Sequence, residues 1–187
     1  MMKISPIWAG AFTVLLLGAA PPVLAQDRAA RIDALKTGVL GAASATQFLT
    51  GRCGALHLAA PASVRAENSA SAKAIVPADV RALLRVDEAA PVRHRHVRLT
   101  CGGHLLSEAD NWYVPARLTP AMNHTLDTTD TPFGTVARPL NFHRKTVAAS
   151  AQQGPTVLQV KAVLLTPQGA PISLVVENYS GVLIGDR

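Results

Sequence analysis

At 187 residues, 49% hydrophobic and with a formal charge of +6, the chain has the size of a domain built on one core rather than two. The positive balance favours anionic partners. Its basic residues are scattered apart from one short cluster, Arg93 to Arg98, and no aromatics interleave with them, which excludes a nucleic-acid platform and favours a small anion.

The chain opens on an export signal. Lys3 supplies a positive start, and Ile7 to Ala20 run almost without polarity into Pro21 and Pro22. Val23-Leu24-Ala25 then gives the small-x-small pattern of a cleavage site. The apolar stretch is too short to span a bilayer comfortably. Residues 1–25 are therefore read as a signal peptide cut after Ala25, and residues 26–187 as a single domain, periplasmic or secreted, with no stable membrane insertion. An uncleaved N-terminal anchor is the alternative. Removing the signal takes away only Lys3 among the charged residues, leaving 17 basic against 12 acidic side chains.

Asp27 to Leu49 carries apolar residues at Ile32, Leu35, Val39 and Leu40, then Phe48 and Leu49, spaced for one face of a helix that ends near Gly51. Ala59 to Lys73, rich in Ala, Ser and Pro, reads as a surface connection. Val76-Pro77-Ala78-Asp79 starts a short helix with Val80, Leu83 and Leu84. From Val92 the period becomes two: Val97, Leu99 and Cys101 point one way and His94, His96, Arg98 and Thr100 the other.

Cys101-Gly102-Gly103 starts a turn, and Trp112 to Leu118 reads as the returning strand, with Pro115 at an edge or bulge. Thr119-Pro120 has the cap signature of a helix through about Leu126. After a turn at Thr131-Pro132-Phe133-Gly134 comes an extended stretch, Thr135 to Val147, interrupted by Pro139. Val157 to Leu165 and Ile172 to Tyr179, joined by Thr166-Pro167-Gln168-Gly169, read as a hairpin in which Ser173, Val175, Glu177 and Tyr179 share a face. The sum is an α+β domain with helices on one side of a largely antiparallel sheet.

Two residue sets have more than one reading. Cys53 and Cys101 can form one bridge, which an oxidising compartment permits, or Cys101 is a buried thiol in an apolar run. Glu177 interrupts the apolar run Ile172 to Val176, so it either faces solvent or is a buried acid with a raised pKa, ready to donate a proton.

Four blocks in order resemble chorismate pyruvate-lyase and, more distantly, the ligand-sensing domain of GntR-type regulators. They are His96 to Cys101 with its Gly turn, Asn111-Trp112 leading to Pro120, Thr131-Pro132-Phe133-Gly134, and Gly169-x-Pro171 running into Leu174 to Tyr179. The resemblance implies a sheet of about six antiparallel strands with flanking helices, enclosing a small pocket under helical flaps. It also implies cleavage of chorismate to 4-hydroxybenzoate and pyruvate, with no cofactor and no metal. That chemistry needs a cation for the ring carboxylate and an acid near the enolpyruvyl ether.

Carried onto this chain, the resemblance makes Glu177 the acid or the partner of the phenolic oxygen, and Phe133 a pocket-lining residue. Counting back from Cys101 puts the family's pocket cation at His96. Arg98, on the same strand face, is chosen as the catalytic cation, with Arg95 adjacent on the other face. His96, Thr131 and Arg117 join Phe133 as substrate-binding residues, Arg117 as a second anion contact or only a strand-edge charge. His94-x-His96 could supply two metal ligands, but no acidic residue or cysteine pair completes a set, and a polar sheet face is the more ordinary reading. The expected partner is a small anionic aromatic or carboxylic acid bound by a monomer. The alternative to an enzyme is a non-catalytic periplasmic binding protein of the same fold.

Overall fold

The computed structural model describes residues 23–69 and 76–186. The segment read as an export signal therefore lies outside the described residues except for its last three, which begin the first helix. Two helices, α1 (Val23–Gly41) and α2 (Ala45–Ala55), lead into β1 (Arg65–Ser69) and α3 (Ala78–Leu84). Next come β2 (Arg93–Cys101), β3 (His104–Tyr113), α4 (Pro120–Thr128) and α5 (Phe133–Val136). β4 (His143–Ala151), β5 (Thr156–Leu165) and β6 (Pro171–Ser180) complete an antiparallel six-stranded sheet in the order β1-β2-β3-β6-β5-β4. This is the α+β architecture expected from the sequence.

Four segments differ from their sequence reading. The helix expected over Asp27 to Leu49 is two helices, because the chain breaks after Gly41 and Ser44 restarts it as an N-cap, its Oγ accepting from the Gln47 amide at 3.4 Å. The supposed surface connection contains β1, which adds an edge strand against β2. The returning strand is His104–Tyr113 rather than Trp112 to Leu118: Pro115 has no N–H for a ladder and opens a 3-10 turn, Pro115–Arg117, instead. Thr135 to Val147 is extended only from His143, since α5 and a second 3-10 turn at Arg138–Leu140 occupy its first part.

The helices pack in three groups. Ile32, Leu35 and Val39 of α1, with Leu49 and Cys53 of α2, bury themselves against Val97, Leu99, Leu106, Leu158 and Tyr179. Leu126 of α4 and Phe133 of α5 pack on Tyr113, Leu164 and Ile172. α3 lies across the opposite face, with Val80 and Leu84 against Val163, Leu165 and Leu174. Full burial of such side chains is worth about 1.5–3 kcal/mol each, so the five anchors of α1 and α2 fix those helices to the sheet. Cys53 and Cys101 are bridged, tying α2 to the end of β2. Among the described residues, no helix is long and apolar enough to cross a membrane.

Candidate functional site

Register across the sheet decides which side chains meet. Arg95 on β2 stands opposite Asn111 on β3, which stands opposite Val175 on β6. One row along, Val97, Ala109, Glu177 and Val160 follow one another over four strands. Strand side chains alternate, so Arg95, Asn111 and Glu177 all project to the side covered by α1 and α2. Arg144 joins them from β4. The roof consists of the α1–α2 elbow, Ala43 to Thr46, and of Pro132 to Gly134 at α5. Between floor and roof lies a cavity of about 50 Å³.

The polar groups of this cavity leave donors without acceptors. Arg144 Nη2 pairs with Glu177 Oε2, and the Tyr179 hydroxyl donates to the same oxygen at 2.9 Å. Arg144 and Glu177 are nearly closed to solvent, with side chains 5% and 7% exposed. Burial pulls the Arg144 pKa down, but the Glu177 carboxylate outweighs it and the net shift is upward. The buried Nε of Arg144 has no hydrogen-bond partner among the described residues.

Arg95 is buried too, yet its partners are neutral: Nε donates to Asn68 Oδ1 at 2.7 Å, and Nη1 and Nη2 to the carbonyls of Thr131 and Thr129 at 3.0 and 3.1 Å. Burial lowers its pKa, opposed by the more distant Tyr113, Asp130 and Asp127. Three of five guanidinium N–H groups are thus used. Asn111 also lines the cavity, its Oδ1 accepting from the buried Ser173 hydroxyl. The ionisable lining is two guanidiniums and one carboxylate, a net charge of +1, and one small anion would balance it.

The residues singled out in the sequence divide sharply. Glu177 and Phe133 line this cavity. Arg98 does not: one residue out of phase with Val97 and Leu99, it projects from the other face of the sheet, half-exposed between Glu67 and Glu108 at 3.7 and 3.8 Å. His96 shares that outer face, where its Nδ1 and His94 Nε2 lie 2.9 and 2.8 Å from Asp110 Oδ1. Arg117 is spent on backbone carbonyls, those of Leu84 at 2.7 Å and of Pro171. Thr131 reaches the cavity only indirectly, through its carbonyl's bond to Arg95, and its side chain borders a separate groove.

Arg95, Asn111 and Arg144 were missed as site residues. Parity carried the signal for Arg95, since the face holding Val97, Leu99 and Cys101 also holds residue 95. Nothing in the sequence separates Arg144 from its neighbours Arg138 and Lys145, because its place depends on β4 docking at the sheet edge.

A second space adjoins the first. A groove of about 810 Å³ runs outside the roof and shares Ala43, Ser44, Thr46, Gly134 and Phe142 with the cavity wall. Gly134 sits in the partition: a Cβ there would come to 3.3 Å of both Ser44 Oγ and Thr46 Oγ1.

No protein-family model matches the chain. The uncharacterized protein y4mC of Sinorhizobium fredii is 38% identical over 183 residues, covering 85% of this chain and 77% of that one. The crystal structure of PhnF from Mycobacterium smegmatis superposes at a TM-score of 0.57 and 17% identity, covering 76% of this chain. This chain spans 66% of the length of that protein. Its effector domain alone matches at 0.56 and 15% identity, over 75% of this chain and 90% of the domain. At those identities the likeness is one of fold.

Proposed function

We propose, from the premise that this chain belongs to the same family as protein y4mC of Sinorhizobium fredii, that it is a binding protein for a small carboxylic acid held between Arg95 and Arg144. The observation that carries the reading is the lining itself. Two buried guanidiniums face one carboxylate, and Arg144 Nε has nothing to donate to among the described residues. A ligand carboxylate supplies the missing charge and the missing acceptors together. The fold shared with the PhnF effector domain is consistent with a small-molecule binding role.

The lyase reading is the second one, favoured by a buried carboxylate beside two cations. Two observations weigh against it. Glu177 accepts from both Arg144 and Tyr179, an arrangement suited to holding Arg144 in position rather than to giving up a proton. About 50 Å³ also has room for only a few water-sized groups, whereas shielding a whole chorismate from solvent needs several times that. We take the binding to occur after export to the periplasm. That proposal is supported by Lys3 and the apolar run from Ile7 to Ala20, and by the Cys53–Cys101 bridge, a kind of link that persists outside a reducing cytosol.

The test is thermal denaturation and calorimetry with propionate and 4-hydroxybenzoate, beside an assay for chorismate turnover. At least one acid should raise the melting temperature, since a ligand of the native state stabilises it by mass action. Arg95→Gln should weaken that acid about thirtyfold or more, the loss for removing one side of a buried charge pair, and Arg98→Ala should leave it unchanged. Indifference to every acid would sink the binding reading. Turnover of chorismate that disappears in Glu177→Gln would establish the lyase in its place.

A further inference from the structure

We infer that the ligand is an acid with a polar, non-cationic tail bearing hydroxyl or amide groups, its carboxylate in the inner cavity and its tail in the outer groove. The inference rests on the binding reading above and names the ligand class for that site.

Volume is the first ground. The inner cavity of about 50 Å³ accepts a carboxylate and little else, while the groove beyond it offers about 810 Å³. A molecule whose head sits against Arg144 therefore continues into the groove or stops at its second or third heavy atom. The two spaces share Ser44, Thr46, Gly134 and Phe142, so they lie side by side. Gly134 keeps that wall thin, because any side chain there presses on the two hydroxyls facing it.

Chemistry is the second ground. Beyond the partition the groove presents the hydroxyls of Thr50 and Thr135 and the amides of Gln47 and Asn141, with Arg138 as its one charged side chain among the described residues. Thr50 is committed to the Thr46 carbonyl at 2.9 Å, while Thr135, Gln47 and Asn141 have no side-chain bond within the described residues. A wall of neutral donors and acceptors pairs with hydroxyls and amides. It gives no advantage to an alkyl chain, which would leave those groups unpaired. Nor does it hold a carboxylate that could bind a cationic tail.

Calorimetry on the full chain with four acids separates the possibilities: propionate as head alone, hexanoate with an apolar tail, and gluconate and N-acetyl-diglycine with polar ones. At least one polar-tailed acid should bind about tenfold or more tightly than both propionate and hexanoate, the yield of one or two net neutral hydrogen bonds. The double variant Gln47→Leu/Thr135→Val, altered only in the groove, should remove that advantage and leave propionate unchanged.

Equal affinity for all four acids, or hexanoate the tightest, would overturn the polar tail while the binding reading stands. A polar-tail advantage that survives the double variant would overturn the groove as its seat. Binding by none of the four, with no response to 4-hydroxybenzoate either, would remove both readings.

Discussion

Tyr179 is fully buried, and its hydroxyl donates to the Glu177 carboxylate, so ionising it would strand one negative charge beside another without water. Burial, then the Glu177 charge, push its pKa well above the ordinary tyrosine value near 10. Burial likewise raises Tyr113, although Arg93 pulls it the other way. These are the only two tyrosines in the chain. Below pH 10 neither folded nor unfolded chain ionises them, and they contribute nothing to pH dependence. Above it the unfolded chain loses the protons first, so stability falls as pH rises toward the folded values. Absorbance at 295 nm should therefore show no tyrosinate near pH 10 while circular dichroism reports a folded protein, and should rise only with unfolding. A tyrosine titrating reversibly at its ordinary value in the folded state would contradict this burial.

At the scale of elements, β2 shows what the sequence does and does not carry. Its alternation was legible, and with it the division between a core face and a polar face; what went astray was the assumption that the site cation belongs with His96. The core face contains Arg95, a cation that the fold buries and that apolar parity hides. The start of β3 was legible too. Gly102 and Gly103 both have positive φ, 59° and 80°, the two-residue hairpin turn that obliges the chain to resume pairing at His104. Against this, β1 and β4 could not be read, because each is short of apolar alternation and is a strand only by pairing with a neighbour at the sheet edge. The bridge from α2 to β2 spans 48 residues of sequence, and loop-closure entropy gives it a stabilising effect of up to about 4 kcal/mol. The variant Cys53→Ala/Cys101→Ala should lose about 2–4 kcal/mol in urea unfolding. An unchanged midpoint would mean that the packing of Leu49 and its neighbours holds α2 unaided.

Over the whole molecule, the site depends on contacts that join the first described helices to the last residues. Arg28 pairs with Asp186 at 3.0 Å, Arg31 donates to the Ile184 carbonyl at 2.6 Å, and Arg52 donates to that of Leu183. Leu183 and Ile184 are buried among the side chains of α1 and α2. A chain ending at Ser180 loses both anchors, about 3–6 kcal/mol of apolar burial, and with them the hold on the elbow that roofs the cavity. Such a chain should be digested by protease at least tenfold faster than the full one, and equal resistance would show that the sheet alone positions the roof. None of this was visible as periodicity, since it pairs residues more than 130 positions apart.

That separation has a meaning in time as well as in space. Contacts over so long a separation require a long loop to close before they reward it, so the helical roof docks after neighbouring strands have paired. The last part of the cavity to be secured in folding is therefore its cover, when residues 181–184 pack against α1 and α2.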